Sequence, residues 1–223
     1  MRTRYFKELP STNDYLKQHA DTLEDPLLIY TGFQTKGRGR RERRWASERD
    51  QNFLGSFLIK DVHLDPFKAL VLASLTLIDT LSHFGIDASI KLPNDIYSSG
   101  GKIAGILIER LVQYETATII GIGLNVNERM RDEKSVSIAD IKGKTTDVET
   151  VKDKIVERFE DYFQRPFTEL FPWFRERIDF KNMTGYYDGR RLKIDDIDDK
   201  FHCYSGSLRI PCYEIDFSMS DEN

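Results

Sequence analysis

The middle of the chain, residues 88–127, decides the fold: ASIKLPNDIYSSGGKIAGILIERLVQYETATIIGIGLNVN. Short apolar segments rich in β-branched residues alternate with turn-forming groups such as Pro-Asn-Asp and Gly-Gly. The pattern predicts a strand, a turn, a strand, a tight connection at Gly100–Gly101, a strand, a loop and a last strand. A series of hairpins within a mixed sheet is therefore expected.

The flanking sequence adds strands and helices. Strands are predicted at 2–9, 27–31 and 52–59. Helices are predicted from Ser11, which suits the N-cap, and at 66–84, 150–163 and 169–177. The fold class is α/β (α+β), a mixed β-sheet flanked by helices. Short strands and acidic turns follow residue 178, so we expect a domain over 1–178 and a small C-terminal β-domain over 179–223.

Composition narrows the functional class. The 223 residues are 39% hydrophobic and carry a formal net charge of −4, whereas proteins that bind DNA or RNA are usually basic. The sequence shows no signal peptide and no apolar run long enough to span a membrane. Cys203 and Cys212 match no metal-binding or CxxC spacing, so we expect reduced thiols and a cytoplasmic setting.

A strongly basic stretch stands out in this acidic chain. TKGRGRRERRW, residues 35–45 and here called the Arg loop, contains six basic residues and two glycines. Guanidinium groups suit phosphate and carboxylate, and glycines let the backbone approach a ligand. Like charges should keep the empty loop mobile until an anion orders it. A solvated basic loop and a targeting signal are the alternatives.

Three further stretches combine polar residues with strand ends. They are KLPNDIY at 91–97, GGKIAGILIE at 100–109 and IIGIGLNVN at 119–127. Taken singly, each of these stretches is also typical of an ordinary turn or of a solvated charged residue at the edge of a strand. The sequence has no HExxH or GxSxG motif, and its near-matches to the P-loop and to GxGxxG lack required residues.

Together, the stretches resemble the catalytic domain of biotin protein ligases (biotin–acetyl-CoA-carboxylase ligases). The family has Ser-Thr-Asn, here residues 11–13, and Gln-Thr-x-Gly-Arg-Gly-Arg with a closing Trp, here 34–45. It has Lys-Trp-Pro-Asn-Asp, Lys-x-Ala-Gly-Ile-Leu-x-Glu and Gly-x-Gly-x-Asn, here 91–95, 102–109 and 121–125. The resemblance implies a class II synthetase-like fold with an SH3-like C-terminal domain.

The resemblance also implies a two-step reaction. Biotin and ATP form biotinyl-5′-AMP, and a lysine of a biotin carboxyl carrier protein, an acetyl-CoA carboxylase subunit or a related one, then receives the biotin. Mg²⁺ would accompany the ATP phosphates. No DNA partner is expected, since the chain begins near Ser11 and resembles members without a DNA-binding domain. The oligomeric state stays open, a homodimer being one option.

Site residues follow from the matched motifs. The resemblance assigns catalysis to Lys102, Arg38, Arg40, Asp95 and Lys91, with Asp95 receiving or orienting the incoming lysine. Biotin contacts are assigned to Ser11, Thr12, Asn13, Gln34, Gly37, Arg38, Lys102, Gly105, Leu107 and Gly121. Nucleotide contacts are assigned to Arg38, Arg40, Arg43, Trp45, Asn94, Lys102 and Asn125.

The chain departs from the family pattern at two positions. Glu42 replaces a glycine of the Arg loop, and Leu92 replaces the Trp of Lys-Trp-Pro-Asn-Asp. Two related functions compete with biotin ligation: a lipoate or octanoate ligase of the same fold, and a biotin-binding sensor without transfer activity. The closing Trp and the arginines favour biotin, and retention of Lys102 and Asp95 favours an enzyme.

Overall fold

The computed structural model describes residues 1–41, 43–111, 117–129 and 134–217. It confirms the mixed sheet, whose seven strands lie in the order β1-β2-β3-β7-β6-β5-β4. All neighbouring pairs are antiparallel except β1 and β2. The strands are β1 Arg2–Phe6, β2 Leu27–Thr31, β3 Phe53–Ile59, β4 Ser89–Lys91, β5 Asp95–Ser98, β6 Gly101–Leu111 and β7 Ala117–Leu124.

Five helices flank the sheet in the described ranges: α1 Thr12–His19, α2 Pro66–His83, α3 Ile138–Lys142, α4 Val148–Phe163 and α5 Phe167–Glu176. The apolar helix α2 packs on β6 and β7 and against α4 and α5. Helix α1 lies over β2, β3 and β7. Because side chains alternate across a strand, Leu28 and Phe57 join the larger core while Ile29 and Leu58 join a smaller core beneath α1.

Helix starts follow the predicted capping chemistry. The Ser11 side chain accepts a hydrogen bond from the Asp14 N–H, and Pro66 occupies the first turn of α2. The short helix α3 was not predicted, although Ser137 and Asp140 form a capping box at its start. At the β5–β6 hairpin the turn residues are Ser99 and Gly100, both with positive φ, and Gly101 is already in the strand.

The C-terminal part forms two small sheets. Strands β8 Thr184–Tyr187 and β9 Arg190–Lys193 pair in one, and β10 Asp196–Ile197, β11 His202–Ser205 and β12 Leu208–Pro211 pair in the other. Phe201 stacks on Phe67 of α2, so this region shares the larger core. The domain boundary at residue 178 stays a prediction.

One expectation about the cysteines is wrong. Cys203 and Cys212 form a disulfide rather than two reduced thiols. The antiparallel pairing of β11 with β12 brings their Cα atoms to 5.3 Å, within the range that a disulfide spans. Cysteine usage therefore gives no support for a reducing, cytoplasmic setting. In the described ranges, none of the helices is long and apolar enough to cross a bilayer.

Candidate functional site

The floor of the candidate site is a patch of glycines on the α1 face of the sheet. Gly105 of β6 lies opposite Gly123 of β7, and Gly121 lies opposite Leu107. A Cβ atom at Gly123 would stand 2.5 Å from the Trp45 ring, and one at Gly121 would stand 2.3 Å from the Asn13 Oδ1 atom. Side chains from α1 and from the Arg loop reach the sheet only because these glycines lack side chains.

A buried polar corner stands at one end of this floor, at the start of α1. The Gln34 Oε1 atom accepts a hydrogen bond of 2.8 Å from the Thr12 backbone N–H and one of 3.2 Å from the Thr12 hydroxyl. The Ser56 hydroxyl lies 2.6 Å from both Thr12 Oγ1 and Asn13 Oδ1. Ser11, Thr12, Asn13 and Ser56 are all buried. The corner offers hydroxyl and amide groups in fixed orientations.

Lys102 enters the site through a β-bulge. The β5–β6 register shifts between Ile96 and Tyr97, which leaves Ile103 as an extra residue and brings Lys102 to the same face as Gly105. The Lys102 ammonium lies 2.6 Å from Asp95 Oδ1, an ion pair without the angles of a directed hydrogen bond. It also lies 5.4 Å from the centre of the Trp45 ring.

The KLPND turn forms a second wall. Asn94 donates a hydrogen bond of 2.8 Å to the Ile106 carbonyl and accepts one of 3.1 Å from Arg40. The Lys91 ammonium stands 4.7 Å from the centre of the Tyr97 ring. Leu92 is buried in the larger core and also borders the cavity. Burial, aided by the charge of Arg41, lowers the pKa of Arg40.

The Arg loop folds back on itself as a small hairpin. The Trp45 N–H donates to the Gly37 carbonyl at 3.0 Å, and the Gly39 N–H donates to the Arg43 carbonyl at 2.7 Å. A Cβ at Gly37 would stand 2.4 Å from the Trp45 carbonyl oxygen, so this glycine serves the loop's own hairpin. Whether an anion further orders this loop stays a prediction. Glu42 lies outside the described residues.

Carboxylates and a carbonyl hold the loop in place. Arg38 pairs with Asp14 at 3.0 Å and with Glu109, and Arg41 pairs with Asp216 at 2.6 Å. Arg44 donates to the Thr35 carbonyl at 3.0 Å. The pairing of arginines with carboxylates offsets the repulsion between the like charges of the loop.

The predicted site residues line one cavity, with two exceptions. Gly37 supports the loop hairpin, and the buried Asn125 amide donates to the Val136 carbonyl at 3.1 Å and to the Lys102 carbonyl at 3.4 Å. The other predicted residues all border the cavity: Ser11, Thr12, Asn13, Gln34, Arg38, Arg40, Arg43, Trp45, Lys91, Asn94, Asp95, Lys102, Gly105, Leu107 and Gly121.

Sequence reasoning missed several lining residues. Gly55 carries the same signal as Gly105, a glycine within an apolar strand. Ile215 and Phe217 come from the C-terminal part, to which no site residue was assigned, and no sequence pattern pointed to them. The Trp45 indole N–H is buried and has no acceptor among the described residues, which leaves a donor for a ligand.

Comparison with known proteins finds a matching family model and relatives that agree with it. The model of the biotin/lipoate A/B protein ligase family matches residues 5–127. The bifunctional ligase/repressor BirA of Bacillus subtilis is 29% identical over an alignment of 191 residues, which covers 76% of this chain and 59% of that protein. The biotin–acetyl-CoA-carboxylase ligase of Mycobacterium tuberculosis is 29% identical over 161 residues, with 67% of this chain and 59% of that protein covered.

Solved structures agree on the fold. The biotin protein ligase from Aquifex aeolicus in complex with biotin and ATP superposes with a TM-score of 0.83 at 24% identity, over 96% of this chain and 97% of that one. The chain spans 59% of the length of the curated Bacillus relative. More than half of the chain, including α1, the Arg loop and the glycine floor, lies within the matched family model. The chain belongs to the biotin/lipoate A/B protein ligase family.

Proposed function

We propose that the protein is an ATP-dependent biotin–protein ligase. It forms biotinyl-5′-AMP from biotin and ATP and then transfers the biotinyl group to a lysine of a biotin carboxyl carrier protein. One observation carries the proposal: Lys102, Arg38 and Arg40 converge with a buried polar corner on a flat glycine floor in one cavity. Family membership and the activities named for the relatives support it.

Biotin occupies the α1 side of the cavity in this proposal. Its ureido group needs fixed donors and acceptors, and the hydroxyls of Ser11 and Thr12 with the amide of Gln34 supply them. Its ring carbons need a flat apolar wall, which the backbones of Gly105 and Gly121 and the apolar side chain of Leu107 would offer. The Asn13 amide above Gly121 would close the end of the pocket.

Adenylation forms one bond and breaks another. A biotin carboxylate oxygen attacks the α-phosphorus of ATP, and the bond from that phosphorus to pyrophosphate breaks. Negative charge increases on the α-phosphoryl oxygens, so preformed cations lower the barrier. Lys102 and Arg38 would bridge carboxylate and phosphate. Arg40 and Lys91 would add positive potential.

The nucleotide would lie on the other side of Lys102. Arg43, Asn94 and the unpaired indole N–H of Trp45 border this side of the cavity and can contact the nucleotide. Asn125 was expected to contact the nucleotide. In this proposal it positions the strand of Lys102, because its amide donates a hydrogen bond to the Lys102 carbonyl. Mg²⁺ would accompany the ATP phosphates, because it binds oxygen ligands and usually keeps several of its waters.

Transfer completes the cycle. The amine of the carrier lysine attacks the acyl carbonyl of biotinyl-AMP, the bond to AMP breaks, and an amide forms. The attacking amine must lose its proton, and Asp95 is a carboxylate at the cavity wall that can accept it. Asp95 pairs with the Lys102 ammonium at 2.6 Å. Both residues would therefore reorganise between the two steps.

The test is pyrophosphate release from ATP in the presence of biotin, lipoate, octanoate or no acid, without carrier protein. We expect release with biotin alone. Release with lipoate or octanoate instead would assign the protein to the other branch of the family. Absence of release with all three acids, together with tight biotin binding, would identify a sensor and refute the ligase proposal.

A further inference from the structure

Glu109 of β6 is a carboxylate to which the proposed reaction gives no part. Its Oε2 atom accepts a hydrogen bond of 2.8 Å from the Asn13 amide, and its Oε1 atom accepts one of 2.6 Å from the Lys17 ammonium. The same Oε1 atom accepts a hydrogen bond from the Arg38 guanidinium. Glu109 thus joins the first helix, the central sheet and the Arg loop.

Among the carboxylates that hold the loop, Glu109 is the best shielded from water. Its side chain is 18% exposed, compared with 32% for Asp14 and 36% for Asp216. Water and salt weaken exposed ion pairs, so the less exposed pair restrains the loop more strongly. The Arg40 contact is with the neutral amide of Asn94.

The neighbours of Glu109 keep it ionised. Burial alone would raise the pKa of Glu109, but the hydrogen bonds from Lys17 and Asn13 outweigh burial, and the pKa lies below its ordinary value. Lys17 also leaves the carboxylate with a cationic partner when Arg38 departs. Arg38 can therefore dissociate from Glu109 and pair with it again without leaving Glu109 as an isolated buried charge.

Glu109 also fixes the polar corner. Because the Asn13 Nδ2 atom donates to Glu109, the Asn13 Oδ1 atom faces Ser56 and Gly121. One carboxylate thus sets both the amide over the glycine floor and the position of the Arg loop. Gln at position 109 would keep an acceptor for Asn13 and remove the charge that attracts Arg38.

We propose that Glu109 is a positioning residue that anchors the Arg loop to the body of the domain through Arg38 and thereby controls how fast the loop opens. On the proposed function, opening of the loop sets the rate at which the acyl-adenylate escapes before transfer. The anchoring itself is a property of the free protein and does not depend on that function.

Trypsin provides the ligand-free test, because it cleaves after arginine and the loop contains several. We expect Glu109→Gln to raise the rate of cleavage after Arg40, Arg43 or Arg44 by about tenfold, as for loss of one hydrogen bond between charged groups. Arg38→Gln should do the same, and its position in a loop leaves folding intact. Asp196→Asn, which breaks an exposed ion pair with Arg175, is the matched control and should leave the rate unchanged.

The double variant decides whether the two residues act together. Cleavage in Glu109→Gln/Arg38→Gln should be no faster than in either single variant, since both remove the same contact. If the rate increases of the two single variants multiply in the double variant, the proposed anchoring role is refuted. A wild-type cleavage rate in Glu109→Gln would refute it as well. Melting temperatures of all variants show whether faster cleavage reflects general unfolding.

Dissociation of the acyl-adenylate extends the test to the reaction. Glu109→Gln should release bound biotinyl-AMP about tenfold faster than the wild type. Arg38→Gln also removes the proposed contact between Arg38 and the ligand, so it should release biotinyl-AMP at least as fast, and the double variant should be no faster than Arg38→Gln. If the wild type makes no acyl-adenylate, the proposed function fails while the cleavage rates still decide the anchor. If the wild type makes it and Glu109→Gln retains it normally, only the inference fails.

Discussion

At the residue scale, a single extra residue in a strand decides which face of the sheet Lys102 occupies. Strict alternation along β6 would turn it away from Gly105, and the single extra residue Ile103 brings it to the site face. There it pairs with Asp95 beneath the Trp45 ring. Asp95 is its carboxylate partner among the described residues.

Replacement of this lysine tests its proposed part in adenylation. Lys102→Ala should lower biotin-dependent pyrophosphate release by about a hundredfold or more, because a cation aimed at the developing charge is lost. The free energy of unfolding should change by less than about 1 kcal/mol, since the ion pair is partly solvated. Lys142→Ala, a lysine that binds the Phe84 carbonyl instead, is the control. Wild-type release by Lys102→Ala would refute the assignment.

The glycine floor makes a second prediction at this scale. A Cβ atom at Gly123 would stand 2.5 Å from the Trp45 ring, so Gly123→Ala should displace the indole into water and destabilise the fold by about 1–3 kcal/mol. With Trp173→Phe as background, Trp45 is the single tryptophan and its emission should shift to longer wavelength. Gly39→Ala, whose Cβ would come no closer than 3.4 Å to its neighbours, should leave the emission unchanged. An unshifted spectrum in Gly123→Ala would contradict the tight contact.

At the element scale, periodicity predicted long elements well and short ones poorly. Helix α2 and strands β6 and β7 carry enough apolar residues for the pattern to be read. The helix was predicted to within a few residues, and the two strands were predicted in the right order. Helix α3 has five residues and a single capping signal. Strand β10 has two residues and exists through its pairing with β11.

Some features of the candidate site were likewise predicted from the sequence, and others were not. Motif residues on the central strands were predicted through the family resemblance, because each motif is a short continuous stretch of sequence. The Glu109 contacts join segments that are 71 to 96 residues apart, and the bulge at Ile103 and the disulfide depend on how neighbouring strands pair. Side-chain spacing along one segment carries no information on such pairings.

Asp198 shows what holds the small C-terminal sheet together. Its carboxylate accepts hydrogen bonds from the backbone N–H groups of Lys200 and His202, at 3.0 and 2.9 Å, and from the Arg209 guanidinium at 2.6 Å. Burial opposes ionisation, but these hydrogen bonds prevail and lower the pKa of Asp198 to about 2. The ionised form is therefore the one that stabilises the turn before β11.

A pH dependence follows from the sign of that shift. Because the folded-state pKa is lowered from 3.8, the stabilisation is present above pH 3.8 and is lost as pH falls toward 2. We expect Asp198→Asn to lower the free energy of unfolding at neutral pH by about 1 kcal/mol, allowing for solvent screening. Urea unfolding at several pH values should show the two curves meeting near pH 2. Asp153→Asn, at a 72% exposed position, is the control. A constant gap down to pH 2 would contradict the assignment.

At the scale of the whole molecule, the C-terminal part belongs to the site as well as to the core. Ile215 and Phe217 border the cavity, and Asp216 between them pairs with Arg41 of the Arg loop. The backbone of Asp216 is held in turn by Tyr186 of β8. The loop thus contacts the main sheet through Glu109 and the C-terminal sheets through Asp216.

The two contacts should differ in their response to salt. The Arg41–Asp216 pair is exposed, with side-chain exposures of 54% and 36%, so its contribution to loop closure should be about 0.2–1 kcal/mol. Asp216→Asn should therefore raise the KM for ATP by no more than about fivefold at low salt. Wild type and variant should converge as ionic strength approaches ~1 M, where the Debye length is only about 3 Å.

Steady-state pyrophosphate release over a series of salt concentrations measures this effect. Asp196→Asn serves as control, because it removes an exposed carboxylate from the same C-terminal sheets without contact to the loop. A KM that Asp216→Asn leaves unchanged at low salt would mean that the C-terminal sheets do not restrain the loop. A difference that persists at high salt would mean that Asp216 acts through packing with its neighbours Ile215 and Phe217 rather than through its charge. Convergence of the two enzymes would show that the C-terminal part holds the loop electrostatically.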